Sequence, residues 1–490
     1  MSKKFYITTA IPYVNGLPHV GHSLEYFQAD TIRRYHQLKG EETLLLSGAD
    51  ENALKNVQAA EKESLPTKEY LDKYSKIWRD IYETLGVHLD VFQRGSDEDK
   101  HWPGVQKLWN LCLKNGDLYK KSYKGWYCVG CESFKTEKEL VNGLCPEHQK
   151  RPELVDEENY FFRLSKYQQK LIDLIESNEL LITPENKRSE ILSFVKMGLE
   201  DFSVSRSKTR ARGVGVPVPD DPDQVIYVWF DALNIYMTGV GFGWDENLWK
   251  KWWPADVHVI GKDINRFHTV YWPAMLLSAG VPLPKCVFVH SFVIVDGLKI
   301  SKSIGNVIDP SDLANEFGLE AVRYYLLSQI PTSEDGDFTN GRFKEVYNAN
   351  LANGLGNLIS RVAKLCENAQ ITVSATSRTV AGVKNKFILW IPDPNLEREY
   401  IENLENFRFN EVLGLVWQKI SELDKRIEEV RPWEQKADSD AKFLKEDAVL
   451  WIRDIARLLR PFLPETAEKI LKQFSGTKIK SEAPLFPRIK

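Results

Sequence analysis

Phe5-Tyr6-Ile7-Thr8-Thr9-Ala10 runs into Ile11-Pro12-Tyr13-Val14-Asn15-Gly16 and, two residues on, into His19-Val20-Gly21-His22. The first six residues are β-rich, and Asn15-Gly16 is a turn signal. Residues 21–39 carry the apolar spacing of an amphipathic helix that stops at Gly40. Residues 42–47 form a second short apolar run, ending in Gly48-Ala49-Asp50. Strand, helix and strand in this order predict an α/β fold on a parallel, doubly wound sheet. Such sheets bind ligands at the carboxyl ends of their strands. Residues 12–22 and 48–52 are therefore expected to line one crevice.

The 490-residue chain is long enough for about three domains. Its formal net charge of −4 argues against a general nucleic-acid binder, but not against a protein that meets one RNA through a local basic patch. No apolar run approaches the roughly 20 residues of a membrane span, and the start is too short for a signal-peptide core. Of six cysteines, Cys128, Cys131 and Cys145 cluster in one stretch. That is a metal pattern rather than a disulfide framework, and it predicts a cytoplasmic protein.

Residues 118–225 hold this cluster, many charges and a Pro-rich stretch, and read as an insertion. It separates a first catalytic half (1–117) from a second (226–306). In the second half, residues 225–230 and 258–261 read as strands, and 287–296 as β-structure leading into a loop. Residues 307–345 read as a linker fold. From 346 to 490 the pattern is helical, with apolar spacing near 3.6 over 348–368, 410–430 and 443–474.

Three constellations carry chemistry. His19-Val20-Gly21-His22 opens a helix directly after a strand. Free backbone N–H groups there attract phosphate, two imidazoles add donors, and Gly21 admits a nucleotide closely. Lys299-Ile300-Ser301-Lys302-Ser303 brings two lysines and two hydroxyls on a Gly-flanked loop, suited to charge developing on departing pyrophosphate. Alone, the first is as easily a helix start with surface histidines, and the second a charged surface loop. Cys128-x-x-Cys131 and, after thirteen residues, Cys145-x-x-His148 form two knuckles. They can wrap one tetrahedral Zn²⁺ with no open position, hence one structural ion per chain.

H-x-G-H near the start and K-I-S-K-S about 280 residues later form a pair that resembles the class I aminoacyl-tRNA synthetases. The resemblance implies a Rossmann-like catalytic domain and ATP bound with Mg²⁺. It implies catalytic roles for His19, His22, Lys299 and Lys302, with Gly21, Asp263 and Ser301 also at the nucleotide. Ile11-Pro12-Tyr13-Val14-Asn15-Gly16, Tyr227-Val228-Trp229-Phe230-Asp231-Ala232, Gly261-Lys262-Asp263, Phe267-His268 and Trp272-Pro273-Ala274 resemble the methionine-specific branch, over essentially the whole chain. By position, Ile11, Tyr13, Trp229, Leu233, Tyr236 and His268 would form the methionine pocket, and Asp50 would take the ammonium. A thioether offers little to hydrogen bonds, so apolar shape and sulfur–aromatic contacts, about 0.3–1.5 kcal/mol each, must recognise it.

The resemblance further implies that Asn357, Arg361 and Trp433 read the CAU anticodon. Asn357 and Arg361, four apart, share a helix face. The implied partners are methionine, ATP and tRNA(Met), with no membrane, and a monomer is expected. The gap between the two signature loops is too short for the editing insertion of the Val, Ile and Leu enzymes. Two departures stand out. Asn52-Ala53 replaces the family's usual His-Gly after Asp-Glu, and Ile300 replaces a Met. The rivals are a synthetase of another specificity, a small nucleotidyltransferase, and a non-catalytic tRNA-binding relic. The cysteine and histidine ligands lie far in sequence from the catalytic motifs, against a cysteine enzyme with an active-site zinc. The tail and the second loop disfavour the nucleotidyltransferase, and the intact His and Lys motifs disfavour the relic.

Overall fold

A computed structural model describes residues 3–128, 133–135, 137–146, 149–300, 305–371, 393–434, 442–475 and 478–489. At its centre lie six strands: β1 (Lys4–Thr9), β2 (Glu42–Ala49), β3 (Val91–Arg94), β4 (Leu181–Thr183), β5 (Val257–Gly261) and β6 (Cys286–His290). Their order in space is β3-β2-β1-β5-β6-β4, and every pairing is parallel. Successive residues alternate between two cores. Ile7, Leu45, Val257 and Phe288 face one, while Tyr6, Leu44, Leu46, Val287 and Val289 face the other. A sheet covered on both faces needs apolar residues on both, which is why its strands read as near-continuous apolar runs.

The chain starts at the middle of the sheet. It moves outward through β2 and β3, crosses to the far edge as β4, and then fills the space beside β1 with β5, followed by β6 between β5 and β4. The gap between β1 and β5 is thus the topological switch point, where open α/β sheets bind their ligands. Helix α1 (Val20–Leu38) follows β1 and buries Leu24, Phe27 and Ile32. Farther along α1 the buried Asp30 pairs with Arg323 of the helix Leu319–Gln329 at 2.6 Å. The same guanidinium donates to the carbonyls of Pro461 and Phe462. One buried cation therefore fastens the catalytic helix to the C-terminal helices, and one continuous core spans both.

The inserted segment is built on a long antiparallel pair, Leu118–Cys128 with Glu153–Phe162. Three expectations need correction. First, the stretch 118–225 does not leave the sheet as a block. β4 lies within it and closes the sheet edge beside β6. Second, 225–230 is not one strand: Asp221–Ile226 belongs to a small separate sheet, and Val228–Ala232 is a helix. The apolar run there fits either element, and Tyr227, extended at the helix N-cap, marks the switch. Third, 307–345 is more than a linker between the halves, because Gly336–Phe338 pairs in parallel with Val293–Val295, before the second signature loop. The C-terminal helices include Asn357–Asn368, Phe409–Val430, Val449–Leu459 and Pro464–Ser475, and a further one, Pro394–Glu405, outside the periodic stretches read from sequence.

Candidate active site

The switch-point crevice brings the two signature loops together. The His19 backbone N–H donates to Nδ1 of His22 at 3.1 Å, and the Gly21 N–H to Nδ1 of His19 at 3.2 Å. An Nδ1 that accepts leaves the ring proton on Nε2, so this capping box makes each imidazole an Nε2–H donor. His22 is no plain surface histidine. It meets the edge of Trp78 at 4.7 Å. Burial first, then the neighbouring His19, holds its pKa well below the ordinary value. It is neutral at pH 7 and acts as a hydrogen-bond donor rather than a charge. A Cβ on Gly21 would lie 3.0 Å from His19 Cε1 and 3.7 Å from Ile300 Cδ1. Ile300 of the second loop thus sits over the first, and the Val20 N–H donates to the Ile308 carbonyl at 3.0 Å, tying down the segment beyond that loop. Lys299 lies with its ammonium 5.0 Å from the Phe292 ring. Ser301 and Lys302 fall outside the described residues.

Asp263 lies two residues beyond Gly261, the last residue of β5. A Cβ on Gly261 would meet Asp263 Oδ1 at 3.0 Å, so glycine is what keeps this strand end open. Beneath it lies a pair that sequence reasoning missed. Glu25 accepts from the Ala10 N–H and meets His290 Nε2 at 2.9 Å, while His290 Nδ1 reaches the Ser291 carbonyl at 2.8 Å. With an acceptor at each nitrogen, the ring favours both protons. Burial opposes that charge, but the hydrogen bond and charge of Glu25 outweigh it and raise the His290 pKa.

The residues expected around methionine converge on the other side of β1. Tyr13 and Asp50 form a parallel bridge between the loops after β1 and β2. The Tyr13 ring meets the edge of Trp229 at 6.3 Å, and Trp229 lies flat on Phe267 at 3.7 Å. Phe267 belongs to the quoted family pattern, but its place against Trp229 was not read from sequence. It opens a short π-helix, Phe267–Tyr271, that also carries His268, and such turns recur at functional sites. His268 Nδ1 donates to the Ile264 carbonyl at 3.0 Å, leaving Nε2 to accept from the Tyr236 hydroxyl at 2.7 Å. Burial pushes the His268 pKa down to about 4, so a neutral ring and a neutral phenol hold one another. Leu233 is buried, and Ile11 is partly so, packed against the same core.

In the C-terminal helices, Asn357 is exposed and Arg361 half-buried one turn along. Arg361 pairs with Asp424 at 3.1 Å and Glu428 at 2.6 Å. Its guanidinium lies 5.0 Å over the ring of Trp433. The structure thus joins Arg361 and Trp433, which are 72 residues apart in sequence (433 − 361). In the inserted segment, Cys128 and Cys145 are both buried, whereas Cys131 and His148 lie outside the described residues.

A parallel sheet with paired signature loops at its switch point defines a class I tRNA synthetase, and comparisons agree. Residues 5–153 and 147–363 match the family model described as tRNA synthetases class I (M), and residues 395–489 match an anticodon-binding domain of tRNA ligases. The methionine–tRNA ligase of Clostridium acetobutylicum is 40% identical, covering 99% of this chain and 78% of the relative. That of Brucella suis is 38% identical over 99% of this chain and 98% of its own. A solved Mycobacterium tuberculosis methionyl-tRNA synthetase, in complex with methionyl-adenylate, superposes with a TM-score of 0.88 at 36% identity, covering 99% and 100% of the two chains. The chain belongs to the methionyl-tRNA synthetase family: it is a ligase that activates methionine with ATP and charges tRNA with it.

Proposed function

We propose the following division of labour for that reaction. ATP, with Mg²⁺, lies across the β1–β5 gap with its phosphates on the α1 N-terminus. His19 and His22 donate to them through Nε2–H, Gly21 leaves room, and Asp263 faces the ribose end. The methionine ammonium pairs with Asp50. Its thioether is enclosed by Tyr13, Trp229, Leu233, Tyr236 and His268, with Ile11 at the mouth. The methionine carboxylate attacks the α-phosphate in line, forming the acyl phosphate bond as the bond to pyrophosphate breaks. Lys299, Ser301 and Lys302 stabilise the charge that builds on the leaving pyrophosphate. The terminal tRNA hydroxyl then attacks the acyl carbonyl and AMP leaves. No covalent enzyme intermediate is needed, so catalysis is orientation plus electrostatic stabilisation.

The observation that supports this reading best is the seating of Ile300, the residue before Ser301, against Gly21 of the phosphate turn. Lys302→Ala tests it in methionine-dependent ATP–pyrophosphate exchange without tRNA. Losing one electrostatic stabiliser should lower the rate by about 10²–10³, with methionine affinity nearly intact. An unchanged rate would remove Lys302 from the mechanism.

Cys128, Cys131, Cys145 and His148 would hold one structural Zn²⁺. In support, Cys128, at the end of a strand, and Cys145, just after the Val141–Leu144 bridge, are both buried, and three thiolates with one imidazole suit tetrahedral zinc. Such an ion would brace the inserted segment, and metal analysis of the purified protein tests it. We read Asn357, Arg361 and Trp433 as the anticodon-reading face. Thiol ligands persist in a reducing compartment, so the reading places the protein in the cytoplasm, acting as a monomer. The divisions 1–117, 118–225, 226–306, 307–345 and 346–490 remain our domain reading, with residues 181–183 returned to the catalytic sheet.

A further inference from the structure

Asn52 stands where the family usually carries histidine, and the activity as described gives it no task. It follows the substrate-facing Asp50 by two residues, just beyond β2. Its side-chain nitrogen donates to the Gly95 carbonyl at 2.8 Å and to Asp231 Oδ2 at 2.7 Å. Both partners are pure acceptors, so the amide can be placed only one way round, with both N–H bonds used. Gly95 directly follows β3. Asp231 lies on the helix Val228–Ala232, two residues after Trp229. The other carboxylate oxygen of Asp231 meets His101 Nε2 at 2.6 Å, and His101 Nδ1 meets the Thr238 hydroxyl at 2.8 Å. Asp231 is 1% exposed and His101 fully buried. In a site this dry, a lost partner leaves Asp231 underpaired.

We propose that Asn52 is a positioning residue for methionine: its amide fixes the distance between Asp50, at the ammonium end, and Trp229, at the thioether end. The inference rests on the methionine pocket proposed above. The connection runs through two short links. Asn52 is joined to Asp50 through Glu51, which is buried and held by Arg94 and Ser96, and through Asp231 it holds the five-residue helix that presents Trp229. It also ties in the turn after β3, so two loops at the carboxyl edge of the sheet and the Trp229 helix share one side chain. A neutral imidazole has a single N–H. It could serve one of these acceptors where the amide serves both, so the departure from the family pattern has a chemical consequence.

Steady-state ATP–pyrophosphate exchange on Asn52→Ala, Asn52→His and Trp229→Ala decides the matter. In Asn52→Ala the KM for methionine should rise about tenfold, as expected for one lost hydrogen bond to a buried carboxylate. The KM for ATP should stay within about twofold, because the nucleotide side shares none of these contacts. Asn52→His, keeping one of two bonds, should fall between wild type and Asn52→Ala. Simple destabilisation would lower the fraction of active enzyme without separating the two KM values. Equal rises in both KM values, or no change in either, overturn the inference. Trp229→Ala separates that failure from a failure of the pocket. If Trp229→Ala raises the methionine KM and Asn52→Ala does not, the inference alone is wrong. If Trp229→Ala leaves it unchanged, the pocket reading falls and the inference with it.

Discussion

In the crevice, Tyr236 is 1% exposed and its hydroxyl is locked on a neutral, buried His268. On the C-terminal helices, Trp433 is 48% exposed and its ring is held by Arg361, itself steadied by two carboxylates from a neighbouring helix. In the function proposed above, the two aromatics face different ligands. Methionine is small and nearly without hydrogen-bonding groups at its far end, so a protein can recognise it only by surrounding it. An unpaired base has a face and edges, and it is met by a platform and a few donors on an open surface. Enclosure makes the recognition residues part of the core. Presentation leaves them outside it, where they can be removed with little harm to the fold.

The residue that joins the two regions should show the largest effect. Arg323 is buried against Asp30 of α1 and bonds to carbonyls of the C-terminal helices. Arg323→Met leaves the buried Asp30 with only Arg34, on its own helix, and strips the Pro461 and Phe462 carbonyls of their charged donor, at a cost of about 3 kcal/mol. A large fall in the denaturation midpoint is expected. A shift no larger than that of a surface substitution would show that the two regions are fastened elsewhere.

The crevice itself can be probed with a ligand instead of a mutation. Norleucine replaces the sulfur by a methylene at similar length. A pocket that works by enclosure discriminates such near-isosteres by only about 1–3 kcal/mol. Norleucine should therefore support exchange, less well than methionine. Discrimination beyond about a thousandfold would mean that the sulfur is read by a specific contact rather than by enclosure.

The uneven legibility of the sequence follows from the same physics. β1, α1 and β2 are readable because strand, turn, capped helix and strand follow one another locally, each with its own periodicity. β4 is three residues long, inside a charged insertion, and is a strand only because β6 offers it an edge. Val228–Ala232 looks like strand because a short apolar run carries no period. Tyr13, Trp229 and His268 could be given pocket roles from resemblance, but the stacking of Phe267 on Trp229 and the Glu25–His290 pair could not. Their partners lie 38 and 265 residues away. Asn52 was visible as a departure, yet its meaning lay in Asp231, 179 residues on. Asn357 and Arg361 were legible as one helix face, while the docking of Arg361 over Trp433 required the fold.

The separation of the two regions is tested most directly by measuring both activities in one variant, Trp433→Ala. A base-stacking aromatic contributes about 1–3 kcal/mol per base. Trp433 is half exposed, and the crevice does not depend on it. Aminoacylation of cognate tRNA should fall by roughly ten- to a hundredfold, discrimination against a changed anticodon should shrink, and methionine-dependent ATP–pyrophosphate exchange should stay near wild type. Equal loss of both activities, or full retention of anticodon discrimination, would contradict the account.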